Sequence, residues 1–524
     1  MTTREELAST YDDLPYGGIA FRETHPGRLA AIARLLGLSP PRVETCRVLE
    51  LGCAEGGNLL AMADSLPGAR FVGIDLSGRQ IATGRARARA EGIGNVDLLH
   101  MDLMEADDSI GAFDYILAHG VYSWVPPEVA DRILHLFSHH LTPHGIAYVS
   151  FNVYPGWHQR RMVRDMLKWH GRQTHSPEVQ VARARATLEL MIRMARDETD
   201  TYKRILLEEQ KWTEDLTDGH FFHEVLEPDN HPCWFHEFLG RIARHGLQYV
   251  GEAGLLSMPL GRFRPELDEM LDQFSSDPLE KEQYVDFLRA RRFRKSLLCR
   301  EGLAVSREPD PESLDDLLLL ARGRLTEAPD VTPGVETTLR SPDGRSLTTS
   351  DGLLKTAVAI LFQEWPRCAS FDALYEAARE ATGAAGVPVG FAEKARLRDG
   401  ILRALSAEIL EAVTWQAPFV KVPGERPAAP ASVRIQARVG LPVTNLWHIP
   451  VDVEDIGRIV LAQLDGTRDR ARLLEDLVAE VVKKEFLEGP SGTPVKDPQV
   501  VRRILGPNLD AILGRLADNA FLVA

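Results

Sequence analysis

The sequence predicts an α/β fold with a Rossmann-like core, a helical insertion and winged-helix-like modules towards its C-terminus. Three observations carry the core prediction. Short β-branched or apolar runs alternate with helical stretches from about residue 45, the first run ends in a glycine-rich turn, and acidic residues close the second and third. The runs are Arg47–Leu51, Arg70–Ile74, Val96–His100, Tyr115–Ala118 and Ile146–Phe151. Helical patterns at Gly57–Ser65, Arg79–Glu91 and Glu128–Leu141 lie between them. Such alternation implies right-handed crossovers and a parallel sheet covered on both faces. A sheet of this kind takes its ligands at the carboxyl ends of its strands.

Further along, residues 158–215 lose the strand signal and read as long charged amphipathic helices, for example Val181–Arg196. They are expected to serve packing or oligomerisation, such as a homodimer, in preference to substrate gating. Strand-like runs return at Leu247–Val250 and Ser296–Cys299, so the helices read as an insertion before the last strands of the sheet. The turn-rich stretch 326–352, with Pro342-Asp343-Gly344, predicts a linker or small hairpin. Helices follow at Leu353–Glu364 and Ser370–Ala381, then a Pro/Ala-rich linker at 422–432 and helices at Asp455–Leu464 and Arg470–Val482. The expected divisions are an N-terminal segment 1–44, a core 45–157, the insertion 158–225, the last core strands 226–305, and winged-helix-like modules at 306–421 and 433–524.

Composition narrows the functional classes. Hydrophobic residues make up 44% and charged residues 26%, as in an ordinary globular protein of several domains. No stretch reaches the roughly 18 consecutive apolar residues of a membrane span. The five cysteines are scattered without CxxC pairs, and the first residues are polar, which together predict a cytoplasmic chain with reduced thiols. Lys and Arg number 61 against 76 Asp and Glu, a net charge of −15, which disfavours nonspecific contact with phosphates. The basic stretches Arg85–Arg89, Arg160–Arg172 and Arg289–Arg300 read as solvated helix faces or as internal counter-charge. In the C-terminal module Arg468, Arg470 and Arg472 alternate with Asp469 and precede Glu475 and Asp476, so no basic recognition helix stands out. A protein partner is favoured over nucleic acid.

The chemistry concentrates in Val48-Leu-Glu-Leu-Gly52-Cys-Ala-Glu-Gly56-Gly57-Asn58. Glycine is needed in such a turn because a side chain would hold a ligand off the backbone. The second strand ends in Gly73-Ile-Asp75, placing a carboxylate where it can accept the hydroxyl protons of a ribose, and Asp102 follows the third. The loop lacks the G-x-G-x-x-G spacing of a pyrophosphate cradle and is followed by no Walker lysine. Its leading carboxylate, Glu50, would repel phosphate but suits an ammonium. Together these features resemble the class I S-adenosylmethionine methyltransferases. The resemblance implies S-adenosylmethionine as cofactor, with Glu50 and Gly52 along its methionine part, Asp75 at the ribose and Asp102 at the adenine amino group. Ala54, Asn58, Leu76, Gln80, Leu103 and His119 are expected beside them. Ala54 stands where many members carry glycine.

A closer resemblance runs over residues 10–305. It includes Tyr11-Asp-Asp-Leu-Pro-Tyr16 with Thr24-His-Pro26, His119-Gly-Val-Tyr-Ser-Trp-Val-Pro126 and Asn152-Val-Tyr-Pro-Gly-Trp157. It continues through Phe221-Phe-His-Glu224, Phe235-His-Glu237 and Phe293-Arg-Lys-Ser-Leu-Leu-Cys299. These look like methyltransferases with an attached regulatory domain, a group that includes bacterial protein-lysine methyltransferases similar to those of rickettsiae. The resemblance implies an enzyme acting on protein lysines. Methylation of a small molecule and cofactor binding without turnover are the alternatives, since this core serves many acceptors. Gly17-Gly18 departs from the bulkier or hydroxylated residues expected there.

An activated methyl group needs an aligned nucleophile and exclusion of water more than a dedicated base. Tyr122, Trp124, Tyr154 and Trp157 follow the ends of the fourth and fifth strands and are expected to line an acceptor channel, the alternative being rings packed under loops. His119 is expected to orient the acceptor or take its proton, or else to serve as a hydrogen-bonded loop residue; Asn152 is expected to accept from the amine or cap a turn. Tyr16, Tyr11 and His25 are candidates for an N-terminal lid. No metal is expected. His220, His223, His231, Cys233 and His236 cluster in sequence but match no zinc spacing, and the aromatics between them suggest packing.

Overall fold

A computed structural model describes residues 18–524 apart from 173, 175, 196–199, 261–264, 324–328, 384–390, 441 and 488–492. β1 (Arg47–Leu51), β2 (Arg70–Asp75), β3 (Val96–His100), β4 (Phe113–Ala118) and β5 (Leu141–Asn152) are parallel. With β6 (Leu247–Glu252) and β7 (Phe293–Arg300) they form a seven-stranded sheet ordered β3-β2-β1-β4-β5-β7-β6. β7 runs antiparallel to both neighbours, a feature that strand–helix alternation does not reveal. The first crossover leads from β1 to β2 on one side, and β4 returns to the other side of β1. A crevice therefore opens at the carboxyl ends of β1 and β4, where the strand order switches.

The central strands read as near-continuous apolar runs because both faces are covered. Side-chain alternation sends Val48, Phe71, Tyr115, Leu117 and Tyr148 into one core and Leu49, Leu51, Ile116, Ala147 and Val149 into the other. The first core does not stop at the sheet. It continues through Leu29 of the Pro26–Leu35 helix into Leu319, Leu354, Trp415 and Trp447. The C-terminal half is thus packed onto the half that carries the sheet.

Between β5 and β6 the helices Trp157–Gly171, Pro177–Met194 and Thr201–Thr213 build a cap with its own core of Val163, Leu167, Val181, Leu188, Leu206 and Phe221. The second begins four residues before the predicted Val181, where Ser176 caps the helix and accepts from Val179 N. At the base of the cap Tyr154 N donates to Cys233 O (3.2 Å) and Cys233 N to Asn152 O (3.2 Å), closing a neck.

Beyond the sheet, β8 (Leu318–Ala321), β11 (Ala369–Ser370) and β12 (Leu410–Val413) form a small antiparallel sheet. β9 (Thr337–Arg340) and β10 (Ser346–Thr349) make the hairpin expected around Pro342-Asp343-Gly344. The final module comprises helices Ala431–Val439, Asp455–Leu461, Arg470–Lys484, Pro498–Leu505 and Leu509–Asp518, with a hairpin of β13 (Val443–Thr444) and β14 (Pro450–Val451). The expected linker at 422–432 is held in place, since Arg470 donates to Gly424 O (2.7 Å) and Glu425 O (3.2 Å). No described helix is long and apolar enough to cross a membrane.

The basic stretch Arg289–Arg300 resolves as internal counter-charge. Arg294 on β7 is fully buried and pairs with Glu252 (2.7 Å), Glu282 (3.0 Å) and Asp286 (2.9 Å). Glu252 also accepts from Lys295 N (2.9 Å), so this cluster holds β7 where its next residue faces the site. Removing one member of a buried ionic group strands the others in low dielectric. Arg294→Ala is therefore expected to cost about 3–5 kcal/mol of folding stability, measured by urea denaturation. A loss below about 1 kcal/mol would show that the acids do not depend on it.

Candidate active site

The residues at the carboxyl ends of the parallel strands converge on one cavity of about 720 Å³. Glu50 (β1), Asp75 (β2), Asp102 (after β3), His119 (after β4) and Asn152 (β5) all line it. So do Gly52, Ala54, Asn58, Leu76, Gln80 and Leu103 at one end, and Trp124 and Trp157 at the other.

Gly52 has a φ of 71°, and a methyl group there would lie 2.4 Å from Val121 Cγ2. Ala54 is also left-handed (φ 51°), and its amide donates to Asp75 Oδ2 (2.8 Å). Ser77 N donates to Asp75 Oδ1 (2.8 Å), so the loop and the Asp75 carboxylate fix each other. Asp102 accepts from Met104 N (2.9 Å), which sets the direction in which the chain leaves β3. Gly18 lies against the loop, where a Cβ would meet Gly57 N at 3.3 Å; this close fit accounts for a small residue at that position.

Behind the loop Glu50 is buried. Its Oε1 accepts from Asn58 Nδ2 (2.8 Å), while Oε2 is enclosed without a protein partner. Burial pushes the Glu50 carboxyl up to about 8; the Asn58 hydrogen bond draws it down and Asp75 pushes it further up. His119 donates to or accepts from Tyr148 Oη through Nδ1 (2.9 Å), and Phe21 tilts against its ring at 3.8 Å. Burial pushes its imidazole down to about 4 despite nearby Glu23, so the ring is neutral at pH 7 and a poor proton acceptor. Glu23 and Lys295, which pair with each other, also line the wall.

The far end of the cavity is aromatic. Trp124 meets Trp157 edge to face at 6.1 Å, and the Arg160 guanidinium lies 3.5 Å from the Trp212 ring centroid. Arg160 also pairs with Glu209 (3.2 Å). Asn152 is buried there with Nδ2 lacking a protein partner, as is Nε1 of Trp157. Leu216, His220, His223 and Glu224 complete this end, so the cap, besides packing around its own core, also lines the cavity. His220 Nδ1 pairs with Thr217 Oγ1 (2.9 Å) and His223 Nδ1 with Glu227 Oε2 (3.0 Å).

Three expectations are corrected. Tyr122 points away from the cavity and packs edge-on to Phe151 (6.0 Å) and Phe238 (5.7 Å). Tyr154 also lies outside it, stacked on His158 (4.1 Å) with its hydroxyl accepting from Arg161 (3.1 Å). His25 is no lid: it is fully buried beneath Trp415, with ring centroids 3.8 Å apart, and accepts from Gly27 N (3.1 Å). Tyr11 and Tyr16 lie outside the described residues. Phe21, Glu23, Arg160, Trp212, Arg292 and Lys295 were missed. A tryptophan in the otherwise charged Thr201–Thr213 helix, beside a basic run, was the available signal for Trp212 and Arg160.

Comparison with known proteins agrees with this arrangement. A methyltransferase domain model matches residues 48–145, a predicted methyltransferase regulatory domain 217–300, and the PKMT C-terminal winged helix domain 425–521. The Rickettsia prowazekii protein RP789 is 30% identical over 98% of this chain and 93% of its own length. The structure of PKMT2 from Rickettsia typhi covers 97% of this chain and 100% of that one, at 26% identity and a TM-score of 0.84. The chain belongs to the class I S-adenosylmethionine-dependent methyltransferases with a regulatory domain. A second structure of PKMT2, in complex with AdoHcy, matches this methyltransferase with a TM-score of 0.82. A shorter relative, RP028 of Rickettsia prowazekii, is 36% identical over 45% of the methyltransferase and 94% of its own length.

The site fits the cofactor S-adenosylmethionine. The enclosed Glu50 Oε2 is an acceptor awaiting a cation, and a carboxyl raised to about 8 holds its proton at pH 7 until a positive group replaces it. Below that value binding has to expel a proton, and above it the carboxylate is already formed. Affinity is therefore expected to rise with pH, by up to about tenfold per unit, and to level off near pH 8. Calorimetry at pH 7 in two buffers of different ionisation heat should show proton release, which Glu50→Gln abolishes. Equal heats in both buffers would contradict the assignment.

Proposed function

We propose that the methyltransferase modifies a lysine amine of a protein, which reaches the methyl group through the aromatic end of the cavity. The observation that carries this reading is the continuity of one cavity from Glu50, Asp75 and Asp102 to Trp124, Trp157 and Trp212. The likeness to PKMT2 along nearly the whole chain supports a protein acceptor.

The cofactor supplies a methyl group already activated on a sulfonium. Glu50 would pair with its ammonium, Asp75 would accept from the ribose hydroxyls and Asp102 from the adenine amino group. Gly52 and Ala54 let backbone approach closely. The acceptor end does two things to an amine. Desolvation among three indole rings disfavours the ammonium form, lowering a pKa that is about 10.4 in water. Asn152 lines the cavity, and its side-chain oxygen is the acceptor that orients the neutral nitrogen, while its buried Nδ2, without a protein partner, is a donor. No side chain needs to act as a strong base, consistent with the neutral His119. The cap over the cavity excludes water from the reacting atoms.

Incubation with isotopically labelled cofactor and proteins of the source organism, followed by tandem mass spectrometry, should place the label on lysine side chains. Label confined to the low-mass fraction would overturn the reading in favour of a small-molecule acceptor. Trp212→Ala is expected to lower kcat/KM for the protein acceptor about tenfold or more while cofactor affinity stays unchanged. Trp169→Ala, on the exposed side of the cap, should leave both unaltered.

A further inference from the structure

Asn58 opens the helix that follows the glycine-rich loop, and all four hydrogen-bonding positions of its amide are used. Nδ2 donates to Glu50 Oε1 (2.8 Å) and to Thr24 Oγ1 (3.0 Å). Oδ1 accepts from Phe21 N (3.0 Å) and from Nε2 of His448 (2.8 Å), a residue 390 positions away in sequence.

His448 stands on the tip of the β13–β14 hairpin, inside the span of the C-terminal winged helix domain. The tip is rigid. Asn445 Oδ1 accepts from Trp447 N and Ile449 N (3.0 Å each), and His448 N donates to Asn445 O (2.9 Å). Trp447 Nε1 donates to Pro366 O (2.8 Å), and Arg28 donates to Trp447 O (2.9 Å). His448 itself is fully buried and adopts a φ of 59°. Burial pushes its imidazole down to about 3, and Nδ1 has no partner, so the neutral ring carries its proton on Nε2 and donates it.

We propose that His448 is a positioning residue of the cofactor site: the C-terminal module reaches into the catalytic domain and orients Asn58, which in turn aims the Glu50 carboxylate. The proposal rests on reading Glu50 as the partner of the cofactor's ammonium. Its physical basis is the polarity of the amide. With the His448 N–H in place, Oδ1 faces the histidine and Nδ2 faces Glu50. Without it, Oδ1 keeps Phe21 N and the Thr24 hydroxyl (3.2 Å) but loses its shortest contact, and a flipped amide would turn oxygen towards the carboxylate. The same module touches the same helix elsewhere, through the Ser432–Asp64 hydrogen bond, without contacting Asn58. That second contact separates orientation of Asn58 from docking in general.

The test compares His448→Ala, His448→Gln and Ser432→Ala in the full chain. His448→Ala is expected to weaken S-adenosylmethionine binding about tenfold by calorimetry, raising KM for the cofactor while kcat at saturation changes less than about threefold. His448→Gln restores a donor near the Nε2 position and should recover most of the affinity, whereas Ser432→Ala should leave Kd unaltered. The proposal is overturned if folded His448→Ala binds like wild type, if the glutamine fails to rescue, or if Ser432→Ala weakens binding equally. Should the alanine variant not fold, His448→Leu, which keeps bulk but removes the donor, takes its place: weakened binding there beside near-normal His448→Gln supports the proposal, and wild-type binding overturns it. Glu50→Gln separates the two readings: unchanged affinity there refutes the role of Glu50 itself, while a loss there beside a normal His448→Ala refutes only the histidine's part.

Discussion

The arrangement of this methyltransferase turns on a single primary amide. Asn58 joins the first strand of the sheet, the N-terminal segment and the C-terminal hairpin, and it satisfies each of them through a different hydrogen-bonding position. A buried donor or acceptor left unmatched costs about 1–3 kcal/mol, so four simultaneous partners leave the amide one acceptable orientation. Phe21, carried by the same N-terminal segment, then lies on His119, which reaches Tyr148 on β5. The cofactor wall is thereby assembled from parts of the chain that no local propensity would bring together.

Electrostatics explain why such bracing is needed. Glu50, Asp75 and Asp102 crowd the same end of the sheet, and Glu50 has given up water on every side. Burial raises its proton affinity, and its enclosed Oε2 has no protein partner. Elsewhere the chain matches its buried charges internally. Arg294 is surrounded by three acids, Arg28 and Arg322 both contact Glu411, and Arg164 donates to Glu224 O (3.0 Å). What sets the half-satisfied Glu50 apart from these clusters is its place in the wall of the cavity, at the carboxyl end of β1.

Much of the core was legible in the sequence because it depends on local rules. β1, β3 and the Gly57–Ser65 helix have the predicted bounds, and Glu50, Asp75 and Asp102 follow from strand ends in a doubly wound sheet. Side-chain direction within loops was not legible. In the stretch from His119 to Pro126, Val121 and Trp124 face the cavity while Tyr122 turns into the core, because a loop offers no fixed period from which to read orientation. His25 misled for a different reason. Its partners, Trp415 and Ser65, come from distant segments, and a histidine next to a proline at a helix start carries no sign of burial. Arg160 and Trp212 were hidden by composition, since a charged amphipathic helix looks the same whether its arginines meet water or indole rings.

The neck at Asn152, Tyr154 and Cys233 gives the cap an independence of its own. The cap leaves the sheet at the end of β5 and is tied shut by a pair of backbone hydrogen bonds before the chain proceeds to β6. Lengthening a closed loop adds little entropic cost, roughly 0.6 kcal/mol for each doubling. A helix can therefore be inserted, removed or exchanged above the neck without breaking any strand pairing or touching the carboxylates below. The architecture amounts to a socket with a separately folded fitting, the strand ends forming one and the cap the other.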